Sequence, residues 1–128
     1  MLIYRLETSS GTGPYRAADG SFLSSNARRK RHNNRSHPGA YADLGIRDNF
    51  NSSIHYFGFT SMKSLASWFY HDYTWLKRHG LRIAIYDAPD SSVISSSYQA
   101  IFPRDSSTLV DRLPLPPSSS AFRALRDA

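Results

Sequence analysis

The chain of 128 residues carries 16 Lys and Arg against 10 Asp and Glu, a formal net charge of +6, and has the length of one ordinary domain with a single core. Its 2 Trp, 8 Tyr and 7 Phe support a globular rather than a disordered chain, and the absence of Cys excludes a disulfide scaffold, Cys-type zinc sites and a thiol nucleophile. No run approaches the roughly 18 apolar residues of a membrane span, and the start Met1–Arg5 has no secretory core, so the sequence predicts a soluble cytoplasmic protein.

In chain order, Leu2-Ile3-Tyr4-Arg5-Leu6-Glu7 alternates as an opening strand, ended by the turn-rich Ser9–Pro14. From Gly13 to about Ser53 neither period 2 nor period 3.6 is sustained. This predicts a long insertion whose basic part, residues 20–53, is a ligand lid or a partner surface. Arg28, Arg29, Lys30, Arg31 and Arg35 are concentrated there and form an electrostatic footprint for an acidic protein, a nucleic acid or an anionic surface. His37–Tyr41 is its most ordered-looking piece.

Tyr56–Phe59 then reads as a short aromatic strand. Met62, Leu65, Ala66 and Phe69 recur at the i, i+3, i+4, i+7 spacing of one helix face. Thr60 or Ser61 is the natural N-cap between them, and a helix start of this kind also favours an anion such as phosphate, although capping alone would explain both residues. Asp72 caps a second short helix through Tyr73, Trp75, Leu76 and Lys77, which Gly80 terminates. Leu81–Ala88 is an apolar strand, Pro89-Asp90 a turn, and Tyr98–Phe102 a last strand stopped by Pro103. Residues 105–128 read as a Pro/Ser-rich tail, extended at Pro114–Pro117 and ordered on a partner, with one marginal helix over Ala121–Ala128. The expected class is α+β: a single domain over residues 1–104 with a small mixed sheet and short helices after the central strand.

Other chemistries find no pattern. His32, His37, His55, His71 and His79 show no metal-ligand spacing, which predicts no metal site. Neither a Gly-x-Ser-x-Gly elbow nor a Gly-x-Gly-x-x-Gly or P-loop spacing occurs. Arg5 projects from the middle of the opening strand, where its structural reading is a strand-edge arginine paired with Glu7 or with an acidic residue elsewhere.

The order of an Arg-bearing strand, a Thr-Ser step into a helix and a late strand carrying Gln99 resembles the ADP-ribosyltransferase fold of the arginine class. Ile3-Tyr4-Arg5 looks like its first motif and Phe59-Thr60-Ser61 its second, while Ser97–Pro103 falls where the family has its acidic strand. The resemblance spans about Leu2 to Pro103. It implies NAD as cofactor, with Arg5 gripping the phosphates, Thr60 or Ser61 supporting the site, and Gln99 facing the nicotinamide ribose in the catalytic position. Gln carries no charge where the family has Glu, and losing one preorganised electrostatic group costs about 10²–10³ in rate. The resemblance therefore implies NAD-type nucleotide binding with reduced or altered ADP-ribosyl transfer to a host or partner macromolecule. Tyr4-Arg5, Gly13-Pro14-Tyr15 and Phe57-Gly58-Phe59 further resemble pieces of small phage or prophage proteins, which would put the protein in a host cytoplasm. The competing expectation is a non-catalytic phage-derived inhibitor that grips an acidic protein or nucleic acid with its Arg28–Arg35 loop.

Overall fold

The structure is a computed structural model that describes residues 1–14, 44 and 54–127. The His37–Tyr41 piece and the cluster Arg28, Arg29, Lys30, Arg31 and Arg35 lie outside the described residues. The α+β class stands, with the described strands arranged as two three-stranded antiparallel sheets beside short helices.

In the first sheet, β1 (Leu2–Glu7) and β6 (Thr108–Leu113) flank β3 (Arg82–Asp87). Arg5 stands opposite Ala84, which in turn stands opposite Arg112. In the second, β5 (Ala100–Pro103) lies between β2 (His55–Gly58) and β4 (Ile94–Ser95). The sheets join where Tyr4 and Phe59 exchange backbone hydrogen bonds of 2.7 and 2.8 Å, so the strands follow one another as β4-β5-β2-β1-β3-β6. Gly58 makes this join possible. A Cβ there would stand 2.5 Å from Ile3 Cγ2 and 3.1 Å from the Tyr4 carbonyl, so only glycine lets β2 approach β1 this closely.

Period-2 alternation gives β1 two different faces. Tyr4 and Leu6 pack into a cluster with Phe59, Leu65, Phe69 and Leu76. Ile3 packs on the other side with Ala84, Tyr86, Ala100 and Phe102. Helix α1 (Met62–Phe69) follows the expected stripe, burying Leu65, Ala66 and Phe69 together with Trp68. A 3₁₀ turn over Tyr70–Asp72 leads straight into α2 (Tyr73–Arg78). Asp72 does not cap α2 with its side chain as the sequence predicts, because its φ of −107° and ψ of 10° are not the extended conformation that aims a capping oxygen at the first turn. The far end matches expectation. Gly80, at φ +72°, lets its own N–H reach the Lys77 carbonyl and that of Leu81 reach Leu76, closing a Schellman motif with Leu76 and Leu81 both in the core.

Two expectations need correction. The last strand of the second sheet starts at Ala100, not Tyr98: the Ser96 hydroxyl accepts from the backbone N–H groups of Tyr98 (3.0 Å) and Gln99 (3.3 Å), and Ser96 N–H donates to the Gln99 carbonyl (2.9 Å). Gln99 therefore belongs to a turn. Residues 105–128, read as a tail with one marginal helix, supply that helix as α3 (Ser119–Arg126) and, beyond expectation, the sheet strand β6. Ser118 caps α3 by accepting from Ala121 N–H at 3.1 Å, and Phe122 is fully buried against Tyr73. The Pro/Ser composition that suggested a tail falls between these two elements, at Pro114–Ser118.

Candidate functional site

The junction of β2 and α1 brings the expected motif segments together. Phe59 bridges Tyr4, and Gly58 stands opposite Ala100. Arg5, Thr60 and Gln99 are each the immediate neighbour of one of these paired residues, so their backbones converge on the seam of β1, β2 and β5. Ser61, not Thr60, is the cap: its extended backbone aims the hydroxyl at Ser64 N–H, 3.1 Å away. The Ser64 hydroxyl in turn donates to the Ser97 carbonyl at 3.4 Å, tying the helix start to the segment that carries Gln99. Gln99 itself is buried. The first turn of α1 holds no acidic residue and carries the exposed Lys63, a cation where the helix dipole favours negative charge.

The Arg5 side chain goes elsewhere. It shares the face of β1 opposite Tyr4 and Leu6, and hence opposite α1. Its Nε donates to Glu7 Oε2 at 3.0 Å and its Nη1 to the Phe57 carbonyl at 2.8 Å, with the Tyr56 ring centroid 5.2 Å from Cζ. The ion pair with Glu7 is the alternative that the sequence offered for this residue. Burial pulls the guanidinium below its ordinary pKa; the neighbouring Glu7 opposes this, and Arg104 adds to it by repulsion.

Glu7 is the centre of this second constellation, with only 1% of its side chain exposed. Besides Arg5 it faces Arg104 Nη1 at 3.6 Å and Arg112 Nη2 at 3.6 Å, and it accepts from the Tyr86 hydroxyl at 2.6 Å. Arg104 lies over the Tyr56 ring at 3.9 Å and donates to the Gly11 carbonyl at 2.6 Å. Burial and the bond to Glu7 push the Tyr86 phenol up to about 12. Sequence reasoning singled out Arg5 and named Glu7 as one of its possible partners. It missed Tyr86 and Arg112, which reach Glu7 through the antiparallel pairing of β1, β3 and β6, and Arg104, which comes from the turn after β5; of these only Arg112 lies in the segment read as a tail.

Among the described residues no group of three or more His, Asp or Glu side chains is placed to hold a metal ion, and no helix is long and apolar enough to cross a membrane. Comparison with curated proteins and with solved structures gives no match. The family model described as "Bacteriophage T4 Y00F protein" matches residues 1–116. That match spans most of the chain, both described sheets and all three strands that meet at the seam, and the protein accordingly belongs to the Bacteriophage T4 Y00F protein family.

Proposed function

We propose that this phage protein binds an NAD-type nucleotide at the seam of β1, β2 and β5. The observation that supports this reading is the register: Tyr4 against Phe59 and Gly58 against Ala100 bring the backbones of the Arg5, Thr60-Ser61 and Gln99 segments together, the order in which the ADP-ribosyltransferase resemblance needs them. The residues present fit a phosphate at the start of α1, where Ser61 caps, Lys63 supplies a cation and no acid competes. Gln99, beside Ser97 and the helix start, would face the ribose with hydrogen-bonding groups but no charge. Arg5 acts in this reading by fixing β2 through the Phe57 carbonyl, since Glu7 and that carbonyl already engage its donors.

Binding is accordingly favoured over rapid transfer of ADP-ribose to a host or partner macromolecule. Purified protein is titrated with NAD by thermal shift and incubated with labelled NAD and host lysate, with Ser61→Ala and Arg5→Ala as controls. A saturable shift weakened in Ser61→Ala is the expected result. Neither a shift nor label transfer would reject the reading.

A further inference from the structure

We propose that the arginine face around Glu7 binds the phosphate group of a small phosphorylated ligand, at a site distinct from the helix α1 start and independent of NAD binding there. Glu7, Arg5 and Ala84 lie on the face of the first sheet turned away from α1, and the register sets Arg5, Ala84 and Arg112 in one cross-strand row. The next row pairs Glu7 with Arg82, whose exposed side chain shares the same face because directly opposite residues do. Arg104 enters from the turn after β5. Three arginines thus contact one buried carboxylate, and a fourth, Arg82, shares its face.

A purely structural ion pair would need one of them. Arg5, buried beside Glu7, already satisfies that requirement, and adding further cations to a shielded site raises their mutual repulsion without removing any desolvation cost. That repulsion is felt between Arg5 and Arg104. Each guanidinium carries five N–H donors, whereas among the described residues Arg104 and Arg112 find only the shared Glu7 at 3.6 Å, the carbonyls of Gly11 and Ser9, and Asp105, which is 71% exposed and 3.5 Å from Arg104. Donors and positive charge are both in excess among the described residues. A phosphate dianion supplies what the cluster lacks, several acceptor oxygens and two negative charges, in the geometry that guanidinium forks match.

The site is also preorganised. Tyr56 underlies Arg104 at 3.9 Å and the Gly11 carbonyl holds it at 2.6 Å, so its fork is oriented before any ligand arrives. Arg104 is 19% and Arg112 38% exposed, which leaves Arg82, Arg104 and Arg112 to touch the ligand while Arg5 and Glu7 act as positioning residues. The convergence of three guanidiniums within 3.0–3.6 Å of one carboxylate describes a compact oxyanion site, unlike the extended spacing that follows a nucleic-acid backbone.

The full chain is titrated with pyrophosphate by thermal shift and ³¹P line broadening, against sodium chloride at matched ionic strength. The variants Arg82→Gln and Arg112→Gln, alone and combined, change exposed side chains and are checked for retained fold by circular dichroism. Saturable pyrophosphate binding that weakens about tenfold or more in the double variant is expected, since two charged donor forks are lost. Ser61→Ala leaves intact the component of pyrophosphate binding that the double variant removes, which separates the site from the seam. A shift equalled by sodium chloride, binding unaltered in the double variant, or tighter and steeply salt-dependent binding of single-stranded DNA would each overturn the proposal.

Discussion

Glu7 and Tyr86 meet across neighbouring strands, the phenol donating to Glu7 Oε1 at 2.6 Å although the register pairs Glu7 with Arg82 and Tyr86 with Ile3. The tyrosine reaches two rows along the sheet, past the position of Ala84, whose small side chain leaves the path open. The first prediction follows from the bond. Tyr86→Phe removes a buried donor to a charged acceptor and lowers stability by about 1.5–3 kcal/mol in urea unfolding at pH 8.

The same bond carries a pH signature. The Tyr86 phenol titrates near 10 when unfolded and is pushed up to about 12 in the fold by burial and by Glu7. A raised pKa means that the folded state holds the proton more tightly. The contribution is fully present below pH 10 and is lost as pH rises from 10 towards 12, about 2–3 kcal/mol in all. Unfolding measured over this range falls more steeply for the wild type than for Tyr86→Phe. Parallel profiles would mean that another group titrates.

Gly58 offers a test of the seam that does not depend on any ligand. Alanine there places a methyl 2.5 Å from Ile3 Cγ2, a fully buried side chain with little room to yield. Gly58→Ala is expected to cost about 1–3 kcal/mol through overpacking. Because the closest contact is with the Ile3 Cγ2 methyl, Ile3→Ala, which removes that atom, partly offsets the clash in the same chain, and a double-mutant cycle reads this as coupling between the two positions. Strictly additive effects would place the strain elsewhere.

The local signals in the sequence carried well where one segment determined its own structure. The stripe of α1, the Ser61 cap and the Gly80 stop all depend on residues within a few positions of each other. The Glu7 constellation could not be read this way. Arg104 and Arg112 stand 97 and 105 positions beyond Glu7 in the numbering, and which of the chain's arginines meet a given carboxylate is decided by strand register. The C-terminal segment was obscured for a different reason. Pro114, Pro116 and Pro117 dominate its composition, yet they occupy only the connection between β6 and α3, and the helix docks through Phe122, fully buried, with Leu125 packed beside the same core.

Phe122→Ala is therefore expected to be among the costly single substitutions, at about 3–5 kcal/mol, because it empties a fully buried aromatic site against Tyr73. The Tyr73 hydroxyl also donates to the Pro116 carbonyl at 2.5 Å, so the connection and the helix are held together. Deleting residues 105–128 removes the strand that covers the outer edge of β3 along with Phe122. Loss of cooperative unfolding in that truncation is the expected outcome. Retention of wild-type stability would return the segment to the status of a tail.

The sharpest chemical prediction concerns Gln99. If the seam holds the nicotinamide ribose, cleavage develops positive charge that an amide cannot offset and a carboxylate can. Gln99→Glu then raises label transfer from NAD by about 10²–10³, the range associated with one preorganised electrostatic group. The position is buried and its backbone is fixed by the Ser96 hydroxyl, so the substitution also introduces a buried acid with a desolvation cost. The two effects separate in measurement: unfolding reports the cost, and transfer per folded molecule reports the chemistry. Increased transfer that Ser61→Ala reduces assigns the gain to the seam. Unchanged transfer in a folded Gln99→Glu protein removes catalysis from this position and leaves nucleotide binding to stand or fall on the NAD titration.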